Sequence, residues 1–408
     1  MENSKLSIIM VGHVDHGKST LIGRLLYDTH SVSDDKITEL EKASNITDNK
    51  LEFAFLLDHL REEREQGITI DTTQIFFKSK NREYQIIDAP GHVEFVKNMI
   101  TGATQASSAV LIIDAVEGVM QQTKRHSYIL SLLGMKHLVV VVNKMDKVDY
   151  SEKNFTKIVK DVTEVFQQLN MHVEEFIPVS ALYGDNVCNV SLNMPWYHGK
   201  PLLEVIEKIE PLQEKEDSAF ILPIQDVYKQ KDKRIAIGRL EAGILNTGQK
   251  VQIIQSGQHT RIRSIEKFLE NTKEAHAGEC IGITTEDSLF IDRGNIICND
   301  ATKITYESEF GAKLIWMDKK PVHINEKLVV RCDTQETTCV IKEIQHKINT
   351  DQLVEVEKNA EQLDNLDAGK VIIKLKHPLA FAKYVDYKCI GRFVLLRQNN
   401  ICAGGIIV

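Results

Sequence analysis

At 408 residues the chain is longer than one hydrophobic core fills, and its length predicts two to four domains. Its 42% hydrophobic and 26% charged residues are those of a soluble globular protein, and no apolar run reaches the roughly 18 to 20 residues that cross a bilayer. The net charge of -8 is uneven: residues 1–218 hold 23 basic against 33 acidic side chains and residues 219–408 hold 27 against 25, which excludes the strongly basic surface of a bulk nucleic-acid binder.

The first twelve residues, "MENSKLSIIMVG", run straight into a strand pattern without a cleavable signal, so a cytoplasmic protein with no membrane partner is expected. After the strand "LSIIMVG" comes "GHVDHGKST", then "LIGRLLYDT" with helical spacing. "GHVDHGKS" fits G-x-x-x-x-G-K-[ST] between a strand and a helix, the setting of a phosphate cradle. Backbone N–H groups of Gly12, His13, Val14, Asp15, His16, Gly17, Lys18, Ser19 and Thr20 would wrap the phosphates at a helix N-terminus. Lys18 would bridge the β- and γ-phosphates, and the Ser19 hydroxyl would reach Mg2+.

Next comes "REEREQGITID", residues 61–71. Its charges fit a solvated helix face, while the change to "QGITI" places Thr69 where a loop ordered by triphosphate would supply a second hydroxyl to Mg2+. The strands "TTQIFFKSK" and "EYQIIDAP" follow, the latter ending in "DAPGH". There Asp88 would hold the metal through a water, the Gly91 N–H would meet the γ-phosphate, and His92 would stand beside the attacking water. The strands "SAVLIIDA", "HLVVVVNKMD" and "EEFIPVSAL" alternate with the amphipathic segments "QQTKRHSYILSLLG" and "NFTKIVKDVTEVFQQLN". Continuous Val/Ile/Leu strands between such helices describe a mostly parallel α/β sheet covered on both faces, over residues 1–211.

"NKMD" at a strand's carboxyl end selects the base. Asp146 can accept from both N1–H and the amino group of guanine, a donor pair that adenine lacks, so GTP and GDP are the expected ligands. Asn143 would brace the pocket, the Lys144 stem would cover the base, and "SAL", Ser180, Ala181 and Leu182, would aim the Ala181 N–H at the guanine O6.

The charged stretch at residues 212–218 reads as a linker. Beyond it, closely spaced strands with glycine-bearing turns predict two small β-barrels, over residues 219–304 and 305–408. Seven cysteines without a CxxC pair read as free thiols, Cys332 and Cys339 included, and the two tryptophans near turns read as packing residues.

Together "GHVDHGKST", "EREQGITID", "DAPGH", "NKMD" and "SAL" resemble the nucleotide motifs of the translational GTPase superfamily, and the likeness spans essentially the whole chain. The resemblance implies a GTPase domain followed by two β-barrels, with Asp15 on the γ-phosphate side, His92 positioning the hydrolytic water, and Val14 with Ile68 as an apolar gate. Within that superfamily, "KRHSYILSLLGMKHLVVVVNKMDKVDYSE", "SALYGDNV", "MPWYHGKPLLEVIE" and "DSLFIDRGNII" look like the GTPase subunit of bacterial sulfate adenylyltransferase. That likeness implies a hetero-oligomer with a nucleotidyltransferase subunit, on which adenylyl sulfate and pyrophosphate form from ATP and sulfate at the expense of GTP. The adenylyl-sulfate kinase domain of some relatives is expected to be absent after "NNICAGGIIV".

One departure stands out: that subunit commonly carries "GSVDDGKST", whereas His13 and His16 here match elongation factors of the Tu type. The departure keeps open an alternative, an elongation-factor-like GTPase that delivers aminoacyl-tRNA to the ribosome.

Overall fold

The computed structural model describes residues 6–33, 35, 53, 73–79, 82–88, 106, 108–135, 137–210, 219–230, 233–267, 270–299 and 301–408. Thr69, Ile68, Gly91, His92 and the linker at 212–218 lie outside the described residues. The chain divides into two compact units, residues 1–211 with 350–353, and residues 212–349 with 354–408.

The first unit holds a six-stranded sheet of β1 (Leu6–Gly12), β2 (Thr73–Lys78), β3 (Glu83–Asp88), β4 (Ser108–Asp114), β5 (His137–Asn143) and β6 (Glu175–Pro178). Its order is β2-β3-β1-β4-β5-β6, parallel throughout except for the edge strand β2, which runs antiparallel to β3. Every residue of β4 is buried, as expected of a strand covered on both faces. One face presents Ile8, Met10, Ile86, Val110, Ile112, Val139 and Val141 to Leu21, Ile22 and Leu25 of α1 (Lys18–Asp28) and to Leu202 and Ile206 of a short C-terminal helix. The alternate residues Ile9, Val11, Leu111, Val140 and Val142 are buried on the opposite face. Helix α2 (Gln121–Leu132) lies against β1 and against α3 (Glu152–Gln168). Helix α3 forms because Ile158, Val162, Val165 and Phe166 recur on one face while the Ser151 hydroxyl caps its start by accepting from the Asn154 N–H.

The order of strand addition reverses about β1, which has β3 on one side and β4 on the other, both parallel to it. The loops leaving the carboxyl ends of β1 and β4 therefore diverge, and that crevice is where open α/β sheets take their ligands.

The second unit contains two closed six-stranded rings. The first joins Lys250–Ile253, Ile296–Cys298, Ile221–Gln230, Lys233–Arg239, Cys280–Thr285 and His259–Lys267 in spatial order, and closes where His259–Lys267 pairs with Lys250–Ile253. The second joins Lys327–Cys332, Arg392–Arg397, Asn400–Ile407, Thr305–Trp316, Asp367–Phe381 and Gln335–Asn349, and closes by the pairing of Gln335–Asn349 with Lys327–Cys332. Alternating side chains fill each ring: Leu222, Ile224, Val251, Ile262 and Ile283 in the first, Leu314, Trp316, Val330, Ile341 and Val371 in the second. A smaller apolar cluster of Ile221, Ile296, Cys298, Ala380, Ala382, Cys389 and Ile390 draws on strands of both rings and makes them one packed body.

Candidate nucleotide site

At the carboxyl end of β1 the backbone turns where side chains would obstruct it. Gly12 pairs with Ile112 of β4, and a Cβ on Gly12 would lie 2.7 Å from the Ile112 carbonyl oxygen. Asp15 and Gly17 take left-handed conformations, with φ of 64° and 87°, and a Cβ on Gly17 would lie 2.4 Å from Asn143 Nδ2. Helix α1 then starts at Lys18 with no acidic residue in its first turn, so its exposed N–H groups and dipole present uncompensated positive potential. Lys18 Nζ arches back to donate to the Gly12 carbonyl at 3.1 Å. Ser19 and Thr20 lie in the first turn, and Val14 and Asp15 form the exposed tip of the loop. Backbone N–H groups gathered at a helix N-terminus in this way have the geometry that accommodates an anion. Asp88, buried at the end of β3, sits level with Met10 in the adjacent strand.

A second corner lies at the ends of β5 and β6. Asn143 is buried; its Nδ2 donates to the His16 carbonyl at 2.9 Å and its Oδ1 accepts from the Ala181 N–H at 3.0 Å. One amide thus ties the cradle to the loop after β6. Lys144, left-handed with φ 63°, places Nζ 2.7 Å from Asp114 Oδ2 at the end of the neighbouring strand. Burial alone would raise the Asp114 carboxyl, but the Lys144 ammonium and the Val116 and Glu117 N–H groups outweigh it and hold the group below the usual carboxylate range. Ser180 Oγ donates to Asp146 Oδ1 at 2.6 Å, which fixes the carboxylate that would read the base. The Leu182 carbonyl accepts from Arg24 Nη1 at 3.5 Å.

Of the residues singled out in the sequence, the structure brings together Gly12 with Lys18, His16 and Gly17 with Asn143, Asn143 with Ala181, and Asp146 with Ser180. The Ala181 N–H, expected to face the guanine O6, donates here to Asn143. Asp114 was not picked out from the sequence. The signal for it was present: a carboxylate ending "SAVLIID", beside the lysine of the "NKMD" strand once those two strands are paired.

Three histidines, His13, His16 and His126, gather near the loop. His13 Nδ1 meets Gln122 Oε1 at 2.6 Å, and the rings of His13 and His16 stand edge-on with centroids 5.2 Å apart. His16 is buried between the Ile112 carbonyl, 3.2 Å from its Nδ1, and Glu117 Oε2, 3.1 Å from its Nε2. Burial lowers its pKa even though both acceptors favour the imidazolium. His126 of α2 is 5% exposed, and its Nδ1 has no hydrogen-bond partner among the described residues. Burial, reinforced by Lys18 and Arg125, lowers its pKa to about 3.

A stability consequence follows from His126. The unfolded chain takes up this proton below about pH 6.5, whereas the native chain refuses it until about 3, so native stability is full above that window and falls as pH drops through it. Between about pH 7.5 and about pH 5 the wild type is expected to lose about 2 kcal/mol more than a His126→Gln variant, read from urea midpoints at the two pH values. Equal losses in the two proteins would show that this imidazole is not responsible.

Against known proteins, the chain matches the family model of the elongation factor Tu GTP binding domain over residues 3–212. Elongation factor Tu domain 2 matches residues 233–298, and the GTP-eEF1A C-terminal domain-like model matches residues 309–408. Among curated relatives, sulfate adenylyltransferase subunit 1 of Psychromonas ingrahamii is 39% identical over 409 residues, covering 99% of this chain and 87% of that protein. The subunit of the same name from Aeromonas salmonicida is 38% identical with the same coverage. Elongation factor 1-alpha of Methanopyrus kandleri is 36% identical, covering 100% of this chain and 98% of that protein.

Proposed function

From the premise that the chain belongs to the elongation factor Tu family of GTPases, we propose that it is the GTP-hydrolysing subunit of a sulfate adenylyltransferase. It couples GTP hydrolysis to the formation of adenylyl sulfate and pyrophosphate from ATP and sulfate on a partner nucleotidyltransferase chain. The observation that carries this reading is the end-to-end likeness to proteins named as subunit 1 of that enzyme.

The site supports the GTPase half of the reading. Amides of residues 12–20 bind the phosphates, Lys18 spans the β- and γ-phosphates, and Asp146, held by Ser180, accepts the N1–H and amino protons of guanine. The Lys144–Asp114 pair keeps the lysine stem extended beside Gly17, and Asn143 holds the two loops in register. The donor set also fits Mg2+: the Ser19 hydroxyl at the start of α1 is a hard oxygen ligand, and the Asp88 carboxylate at the end of β3 would hold the ion through a water. When bound, that ion neutralises charge on the β- and γ-phosphate oxygens. In the same reading Thr69 adds a second hydroxyl to Mg2+, the Gly91 N–H meets the γ-phosphate, and His92 orients the hydrolytic water with Val14 and Ile68 beside it.

Reconstitution tests the proposal. The chain is combined with a nucleotidyltransferase recovered by pull-down from its native cell, and adenylyl sulfate is measured with GTP, with a non-hydrolysable analogue and with neither. GTP alone should raise the yield at least about tenfold, because only hydrolysis contributes free energy to the coupled reaction. Equal yields in the three mixtures would remove the coupling.

His13, His16 and the full-length likeness to elongation factor 1-alpha favour a second reading, an aminoacyl-tRNA carrier. Filter binding across a salt series separates the two. A carrier retains aminoacyl-tRNA at low salt only with GTP, and complete loss of retention eliminates it.

A further inference from the structure

The guanine corner is built from two irregular segments, the single 3-10 turn Met145–Val148 after β5 and the loop that follows β6. Neither is held by a strand ladder or a long helix. Among the groups that join them, Asp185 makes the most side-chain bonds. Its Oδ2 accepts from the Tyr150 hydroxyl at 3.0 Å, and its Oδ1 accepts from Ser191 Oγ at 2.6 Å and from Asn193 Nδ2 at 3.1 Å. Its backbone closes the loop on both sides: the Asp185 N–H donates to the Ser180 carbonyl at 3.1 Å, and its carbonyl accepts from the Ser180 N–H at 3.2 Å.

On the other segment, Asp149 and Tyr150 are consecutive non-glycine residues in the left-handed region, with φ of 50° and 53°. Such conformations persist where their surroundings over-determine them, and they gather at functional sites. Here the Tyr150 N–H donates to the Met145 carbonyl at 2.9 Å, and the Tyr150 carbonyl accepts from Trp196 Nε1 at 2.9 Å, so the kink aims the phenol at Asp185. Burial, then the hydrogen bond to Asp185, pushes the phenol up to about 12, which keeps it a donor at neutral pH.

Ser180, held by Asp185, contacts the base reader directly through its hydroxyl on Asp146 Oδ1 at 2.6 Å. The next residue, Ala181, presents the N–H that meets Asn143 Oδ1 at 3.0 Å. Displacing Ser180 therefore shifts the Asp146 carboxylate and the Ala181 amide together. We propose that Asp185, clasped by Tyr150, is a positioning residue for guanine selection: it holds Ser180 so that Asp146 stays aimed at the 2-amino edge of the base. The proposal rests on the reading of this site as a guanine nucleotide site.

The test compares GDP with IDP, which lacks only the exocyclic amino group. Dissociation constants for both are measured on the full chain as wild type, Tyr150→Phe, Asp185→Ala and Asp185→Asn, alongside each melting temperature. Wild type should prefer GDP by at least about tenfold, because a buried carboxylate left without its partner penalises the analogue. Tyr150→Phe and Asp185→Ala should lower that preference by about fivefold or more, with weaker binding of GDP outpacing that of IDP. Asp185→Asn, which keeps hydrogen-bonding groups for Ser191, Asn193 and Tyr150, should restore most of it. Folded variants that keep the wild-type GDP-to-IDP ratio within about twofold would overturn the positioning role even if their melting temperatures fall. Should Asp185→Ala fail to fold, Tyr150→Phe, which removes one oxygen, decides the matter alone. A wild type that binds neither nucleotide would instead remove the guanine-site reading itself.

Discussion

Asn143→Ala is expected to destabilise the first unit by about 3 to 5 kcal/mol and to leave no measurable GDP binding. The side chain is 2% exposed and makes two hydrogen bonds, one to each loop of the site. Its removal orphans the His16 carbonyl and the Ala181 N–H, and each buried orphan costs about 1 to 3 kcal/mol, to which the vacated volume adds. Binding suffers separately from folding. The cradle's Gly17 packs so closely on Asn143 that a single added Cβ would lie 2.4 Å from Nδ2, so losing the amide frees the phosphate loop and the base loop from one another. Urea denaturation without nucleotide gives the first quantity, and titration calorimetry with GDP and Mg2+ gives the second. An alanine variant as stable as wild type and still able to bind GDP would show that the amide braces nothing.

The second large effect is a change of base preference. Asp146→Asn replaces an all-acceptor group with one acceptor and one donor, so the paired contact with guanine N1–H and the amino group is broken. Affinity for GTP should fall by about 10^3-fold, in the range seen when a buried polar group loses its specific partner. Xanthine carries an oxygen in place of the amino group, and the new Nδ2 can donate to it, so XTP should bind the variant more tightly than GTP does. The fold should survive, because Ser180 Oγ donates to Asp146 Oδ1 and an asparagine keeps an acceptor there. Competition of GTP and XTP for the wild type and the variant gives the answer directly. Unchanged preference for GTP would mean that some other group reads the base.

How far apart in the chain two partners lie decides whether a residue's role is legible in the sequence. The cradle was readable because its parts are contiguous: Gly12, Gly17 and Lys18 act through one strand, one turn and the first turn of one helix. The same holds for Asn143 and Asp146, which leave the end of a single Val-rich strand. By contrast, the partner of the Lys144 ammonium, Asp114, lies 30 positions earlier in the chain and is adjacent only because β4 and β5 pair Asp114 with Asn143. His13 and His16 were recognised as a departure from a motif, yet their hydrogen bonds became visible only with Gln122 and Glu117, which approach after a hundred intervening residues.

What the amino-acid order settled by itself was the α/β character of the first 211 residues and the all-β character of the remainder, and it carried the expectation of a guanine nucleotide as ligand. Each follows from periodicity or from short strings whose backbone chemistry is local. The tertiary structure alone decided how the sheet edges are disposed, with β2 antiparallel at one edge, and which strands pair to close the two barrels that the sequence predicts. It also decided that Tyr150 clasps Asp185 and that His126 is buried uncharged near the loop. A carboxylate shared by three donors and a suppressed imidazole proton arise from groups brought together only by folding, in a medium of low dielectric. No window of sequence contains them, because the energy that defines them exists only after the chain has packed.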